Sequence, residues 1–559
     1  MILNALVKRY DDTLDIPFGW QRRAVKFTIN ISLTGELLSI TRLGDPEAKN
    51  ASETFILPAI GKGRSGKKSY ETVYFLCDND GYMLGKDEKK FESARNFYHE
   101  VLKNDSSVVG KAILAYFNNE ISQVAKDFEP KVIGDYIFKV EDEYITFDNI
   151  DMRLAWNEYS KENTREAGNE LCAITGERGS IIKLHNKIEL SGVTMGKQPL
   201  ISMNAQKSFR SYGADVGDAP AQIGEVAAFK YASALNNLLK DEKHHKFWGN
   251  NDTLVYWADN DGEHEAEIFK YSLDSSLAPP NIKSELDTIA EHFAKGKLPN
   301  LQGCDWDRTF YMACLSPNAA RISLRFFYQS TFGNIEKSIL EHYKRLEIYS
   351  SRDEKFSMLP PWIIVNETKP EGKNATVMPF LSSQLMKSIV TDTPYPLTLY
   401  NLILLRIFAG KPINRTKSAI IKAILIKNFN EREVTTMSLN KESTNQAYVL
   451  GRLFAVMEKM QKDAAQAKSG TKLNSTIRDK FFSSACSSPA SVFPTLLGLS
   501  VHHITPKNYS QQLEILKSKI INLLNDEFPK TLALKEQGEF ILGYYHQEQD
   551  LYTSHKEDN

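Results

Sequence analysis

The stretch GKGRSGKKS, Gly61 to Ser69, comes within one letter of GxxxxGK[ST], the phosphate-binding loop of nucleotide hydrolases. Gly61, Gly66 and Lys67 stand where that pattern needs them, but Lys68 replaces the hydroxyl that would hold magnesium. The flanks decide what kind of fold carries the loop. A nucleotide-binding loop joins a buried strand to a helix whose N-terminus faces the phosphates. Upstream, TFILPAI is strand-like but interrupted by Pro58. Downstream, in YETVYFLCD (70–78), Val73, Phe75 and Cys77 alternate with Thr72, Tyr74 and Leu76, a period-two pattern rich in aromatic and β-branched residues. The spacing predicts a strand-to-strand connection, not a strand-to-helix one. Three readings of the loop stay open here: a nucleotide site, a solvated basic hairpin tip, and a grip on a polyphosphate backbone. The last rests on Lys62, Arg64, Lys67 and Lys68, four cations within seven residues with no intervening acid.

Outward from the loop, residues 1–150 mix strand-like runs (KFTINISL, TVYFLCD, YITFDNI) with helical patterns at 88–103 and 109–126. Residues 171–215 are rich in Gly, Ser and Asn, and there Arg178, Lys183, Lys187, Lys197, Lys207 and Arg210 outnumber Glu177, Glu189 and Asp215. A helix is expected at about 221–240, and strands at TLVYWAD (253–259) and RISLRFFYQ (321–329). In the latter, alternation places Ile322, Leu324 and Phe326 on one face and Arg321, Ser323 and Arg325 on the other. A helix at 334–349 and a polar, proline-paired segment (350–362) close this half. Beyond about residue 378 apolar residues recur at helical spacing. Helices fit 381–390, 397–409, 415–428, 444–468, 473–484, 490–502, 508–527 and 533–547, separated by Pro489, Pro506 and Pro529. The whole reads as a multi-domain α+β chain: a mixed region over 1–355, a linker with basic helices over 356–436, and a helical bundle over 437–559.

A length of 559 residues is too great for one core. Apolar content of 42% and charged content of 25% are ordinary for a globular protein. A net charge of −1 means that nucleic-acid binding would have to come from local patches. One such patch is 397–430, which holds Arg406, Lys411, Arg415, Lys417, Lys422 and Lys427 and no acid; cations at helix ends are the plainer reading of it. Cys77, Cys172, Cys304, Cys314 and Cys486 are scattered with no CxxC pair, which argues against a zinc ribbon or a disulfide framework and suits a reducing cytoplasm. The N-terminus is not expected to be a signal peptide, and LTLYNLILLRIFAG (397–410) is too short to span a bilayer. His244–His245 and His502–His503 have no Cys or carboxylate at ligand spacing, so no metal is expected, and no hydrolase or dinucleotide motif is present. Asp78 and Asp80 flank Asn79 at a turn.

Several longer stretches carry more. FLCDNDGYMLG (75–85), CAITGERGSIIKLHNKI (172–188), ISMNAQKSFRSYG (201–213), AAFKYASALNNLL (227–239), LSPNAARISLRFFYQSTFGNI (315–335), TDTPYPLTLYNLILLRI (391–407), TNQAYVLGRLFAVMEKMQ (444–461) and EQGEFILGYYHQ (536–547) together resemble the large subunit of the type I-C CRISPR interference complex, Cascade. The resemblance runs from MILNALVKRY to the last helix. It implies a non-enzymatic subunit of an RNA-guided complex, without cofactor, at the 5′ end of the guide RNA. Such a subunit recognises the protospacer-adjacent motif in double-stranded DNA, helps to open the duplex and helps to recruit the helicase-nuclease. The implied partners are the CRISPR RNA, the target duplex, the backbone subunits, the 5′-handle-binding subunit and small-subunit copies made from an internal start. Met437, ahead of the helix at 444–468, is the expected start, because Met457 and Met460 lie inside that helix's apolar stripe.

Under this resemblance the loop is a family Arg/Ser/Gly loop with added lysines, and Lys62, Arg64, Lys67 and Lys68 are expected on phosphates. Asn79 either reads a base edge or caps its turn. Asn204, Gln206, Lys207 and Arg210 either bind nucleic acid or dock a neighbouring subunit. Arg321 and Arg325 either face nucleic acid or pair internally. Lys411, Arg415, Lys417 and Lys422 are expected along a DNA strand. A scaffold without DNA contacts, or a phosphate-hydrolysing enzyme built on residues 61–69, are the competing readings.

Overall fold

The computed structural model describes residues 1–14, 16–45, 51–59, 64, 68–130, 132–163, 168–194, 196–202, 221–249, 251–260, 262–319, 321–351, 358–372, 375–469, 473–501 and 508–557. The chain divides into two compact units. One comprises Met1–Glu189 with Lys197–Asn237, the other Leu190–Gly196 with Leu238–Asn559. Positions 355 and 436, where the sequence suggested boundaries, both lie inside the second unit.

The first unit opens with α1 (Ile2–Thr13) and an antiparallel pair, β1 (Trp20–Val25) with β4 (Glu53–Pro58). Its main sheet runs β3 (Leu37–Arg42), β2 (Phe27–Ile31), β6 (Asp135–Val140), β5 (Cys77–Asn79), with β7 (Glu143–Tyr144) added to β6. Only β2 and β6 are parallel. Every residue of β2 is buried, polar Thr28 and Asn30 included, in a strand paired on both edges by β3 and β6. Helices α2 (Asp80–Met83), α3 (Glu88–Val101), α4 (Val108–Asn118), α5 (Gln123–Asp127) and α6 (Ile150–Asn163) follow the chain around this sheet. Tyr98 of α3 stacks on Phe117 of α4 at 4.5 Å, and Phe117 meets Phe138 of β6 edge-on. Two short pairs, β8 (Glu170–Leu171) with β9 (Arg178–Gly179) and β10 (Lys187–Ile188) with β11 (Gln198–Pro199), precede α7 (Glu225–Lys240).

In the second unit an antiparallel sheet runs in chain order: β12 (His245–Trp248), β13 (Asp252–Ala258), β14 (Thr309–Asn318) and β15 (Arg321–Thr331). Helices α8 (Glu263–Ser272), α9 (Pro280–Ala294) and α10 (Phe332–Leu346) join it, and α11 (Pro361–Asn366), α12 (Leu381–Val390), α13 (Leu397–Phe408) and α14 (Arg415–Phe429) follow. The last helices are α15 (Gln446–Ser469), α16 (Ile477–Ser487), α17 (Pro489–Ser500), α18 (Asn508–Ile521) and α19 (Leu534–Glu557). One apolar core runs from Leu254 and Phe310 of the sheet through Ile335, Leu385 and Ile420 to Phe540. The α+β class and the helical texture after residue 378 are as the sequence predicts.

Three local expectations are corrected. YETVYFLCD is not a strand over its length: a single 3-10 turn occupies Ser69–Glu71 and only Cys77–Asn79 is extended. Leu76 sits at φ +63°, which breaks the extended backbone. The buried Asp78 carboxylate gathers the amides of Tyr74 and Asn79 instead, at 2.9 and 2.7 Å. YITFDNI contributes only the end of β7. In β15 the register against β14 slips between Cys314 and Leu315, so Leu324 and Phe326 flank a bulge at Arg325. Leu324 therefore faces outward while Phe326 is buried, and the expected shared face does not form.

Candidate nucleic-acid interface

The described base of the 61–69 loop is built on Arg64. Its guanidinium donates to the Asp78 carboxylate and, through Nε, to the Thr72 carbonyl at 2.8 Å. It lies 4.1 Å from the centre of the Tyr74 ring and 3.9 Å from that of Tyr82. A planar cation between two rings, with a carboxylate at its edge, is a site that only arginine fits. Burial raises the Asp78 pKa, and the Arg64 charge and bond pull it back only in part. Arg23 braces the same corner, donating to the Cys77 carbonyl at 3.0 Å and to Asp135 at 2.8 Å. Arg64 thus fastens the loop from inside, which corrects its expected place on a phosphate. Lys68 is 79% exposed, 3.3 Å from Glu71. Lys62 and Lys67 lie outside the described residues.

Asn79 caps α2: its Oδ1 accepts the Gly81 amide at 3.1 Å. Its side chain is half-buried, and the amide nitrogen has no partner among the described residues. Beside it Asp80 helps to line an open pocket of about 330 Å³, together with Lys86, Phe128, Glu129, Ile133 and Tyr136. The Tyr136 hydroxyl is buried without a hydrogen-bond partner among the described residues. This pocket was invisible in the sequence: its lining comes from residues more than 40 positions apart, and no spacing marks it.

Asn204, Gln206, Lys207 and Arg210 lie outside the described residues. Arg321 is exposed at the turn between β14 and β15. Arg325 pairs internally: the bulge turns its guanidinium to Ser316 Oγ at 2.9 Å, over the Phe380 ring at 4.0 Å, and to 4.0 Å from Asp252.

The basic run at 397–430 is largely turned inward. Lys417 is buried with Nζ 2.6 Å from Glu367, and Lys422 is buried with Nζ 2.6 Å from the Glu347 carbonyl. Lys427 meets Asp392 and the Ser388 carbonyl, both at 3.0 Å. Burial lowers the Lys422 pKa and brings that of Lys427 down to about 8. Lys411 pairs with Glu371 at 2.5 Å, and Arg415 is half-buried and partnered. The expectation of a cationic strip along α14 is therefore corrected for Lys417 and Lys422. The acids that pair with Lys417, Lys411 and Lys427 come from outside the run, at residues 367, 371 and 392.

The CRISPR-associated protein (Cas_Csd1) family model matches residues 4–552. The chain belongs to this family. The match spans both units and bears out the resemblance to a type I-C large subunit. No curated protein matches the chain. Within a Cas_Csd1 protein the two basic segments part company: Lys68 of the 61–69 loop is exposed, whereas Lys417, Lys422 and Lys427 of the 397–430 run are engaged inside the fold. Among the described residues no helix is long and apolar enough to cross a membrane.

Proposed function

We propose that this chain is the non-enzymatic, cytoplasmic large subunit of a type I-C RNA-guided complex, and that it reads the protospacer-adjacent motif in duplex DNA. The family match over residues 4–552 carries the reading. In this proposal the Arg64–Asp78 clamp holds the base of the loop while Lys62, Lys67 and Lys68 meet phosphates. Asn79 offers its free amide nitrogen to a base edge beside them. The 201–213 loop, with Asn204, Gln206, Lys207 and Arg210, and the exposed Arg321 extend the contact. The subunit helps to open the duplex and to recruit the helicase-nuclease, and it joins the CRISPR RNA, the backbone subunits, the 5′-handle-binding subunit and small-subunit copies begun at Met437. Binding of target duplex by the assembled complex tests it. Lys67→Ala with Lys68→Ala should weaken binding and flatten the log–log salt slope by roughly 0.9 for each phosphate that is no longer neutralised. Asn79→Ala should relax preference at one motif position by roughly 1–3 kcal/mol. An unchanged slope together with an unchanged motif preference refutes the proposal and favours a scaffold without DNA contacts.

A further inference from the structure

Where α7 ends and α8 begins, the second unit gathers Asp241, His244 and Glu263, with one ligand atom of each within 4.8 Å of the other two. The histidine is buried and the two carboxylates are half-buried. The hydrogen bonds around the ring specify its electronic state. Nδ1 faces the Tyr256 carbonyl oxygen at 3.2 Å. A carbonyl only accepts, so Nδ1 carries the proton of a neutral imidazole and Nε2 presents its lone pair. Nε2 lies 2.9 Å from Glu263 Oε1, which is a second acceptor. A lone pair facing a carboxylate oxygen needs something between them, either one proton shared by Nε2 and Glu263 or a metal ion.

Asp241 distinguishes these. A shared proton involves one carboxylate, yet Asp241 brings a second carboxylate oxygen within 4.8 Å of both atoms. Asp241 is held in place by the Lys243 amide, which donates to Oδ1 at 2.9 Å. The neighbouring His245 is committed elsewhere, with Nδ1 on the Asp241 carbonyl at 2.8 Å. An imidazole that gives its other N–H to a backbone carbonyl has the orientation seen at metal-bound histidines, fixed from behind and aimed at the ion. Calcium and magnesium take oxygen ligands almost exclusively; an imidazole with two carboxylates suits zinc-type ions.

We propose that Asp241, His244 and Glu263 bind one divalent transition-metal ion of the zinc class, with solvent completing the coordination. The ion ties the turn after α7 to the first residue of α8, across the strand β13 that supplies the Tyr256 carbonyl. Asp241 stands three residues before His244, but the third ligand is not marked by spacing, because Glu263 lies 19 residues from His244 and reaches it only through the fold.

The test uses the full chain, stripped with chelator and titrated calorimetrically with Zn²⁺, with metal content measured after dialysis. The expected result is one equivalent bound and a raised Tm, with Mg²⁺ failing to compete. Asp241→Asn and Glu263→Gln, both at half-buried positions, should each weaken the affinity by about tenfold to 100-fold while far-UV circular dichroism stays unchanged. The buried His244 also packs, so the decision rests on these two carboxylates. No saturable Zn²⁺ binding, or one equivalent bound with unchanged affinity in both variants, overturns the proposal.

Discussion

Arg64 closes on the fully buried carboxylate of Asp78 while lying between the rings of Tyr74 and Tyr82. Removing the guanidinium strands a buried charge, which costs about 3 kcal/mol or more. Arg64→Ala should therefore lower the stability of the chain by that amount in urea unfolding. Arg64→Lys should restore little, because an ammonium neither forks onto the carboxylate nor stacks between the rings. A variant as stable as the parent would show that the clamp contributes nothing.

Lys417 gives the contrasting case. Its ammonium is buried against Glu367, so Lys417→Ala should destabilise the fold by roughly 3 kcal/mol. The salt dependence of duplex binding by the assembled complex should not change. A flattened salt slope would instead place Lys417 on DNA.

Glu336 of α10 is buried, accepts from Ser272 Oγ at 2.7 Å through one oxygen, and has no partner for the other among the described residues. Burial raises its pKa from 4.5 to about 7. Between those values the native state holds a proton that the unfolded chain has released, so this group's contribution to stability falls as pH rises and is flat above about 7. The full cost is roughly 3 kcal/mol. Glu336→Gln should match the parent near pH 5 and exceed it in stability at about pH 8, and comparing the two proteins at each pH cancels other titrations. Equal stability at both values would refute this.

Helices α15 and α19 cross backbone to backbone. A Cβ on Gly451 would run into the Phe540 carbonyl oxygen, and one on Gly543 into that of Tyr448. Around the crossing Tyr448 pairs with His546 at 2.9 Å and Tyr544 with Glu458 at 2.6 Å. Gly451→Ala should separate the helices and destabilise the chain by about 3 kcal/mol. An unchanged urea midpoint would mean that the crossing relaxes freely.

Met437 lies in the loop between α14 and α15, 59% exposed, and its carbonyl accepts the Tyr349 amide at 2.8 Å. Expression of the gene alone, read by intact mass, should give a second product beginning there that disappears when the codon becomes Leu. That product lacks Glu431 and Glu433. These pair with Lys535 at 2.7 Å and accept from Ser443 at 2.7 Å in the full chain. It should therefore unfold at lower urea than the same segment extended to begin at Glu431. Persistence of the product after the codon change excludes this start.

The α+β class and the helical second half were legible in the chain, because burial of one face imposes a local period that it displays residue by residue. The family was legible too, through long ordered stretches. The direction of the charges was not. Arg64 and Lys417 read as surface cations because their acids, Asp78 and Glu367, lie 14 and 50 positions away. The bulge that turns Arg325 inward, and the Glu263 carboxylate that meets His244, are likewise products of tertiary contact. Periodicity is a property of neighbours along the chain, whereas an ion pair depends on which distant segments the shared core brings within a few ångströms.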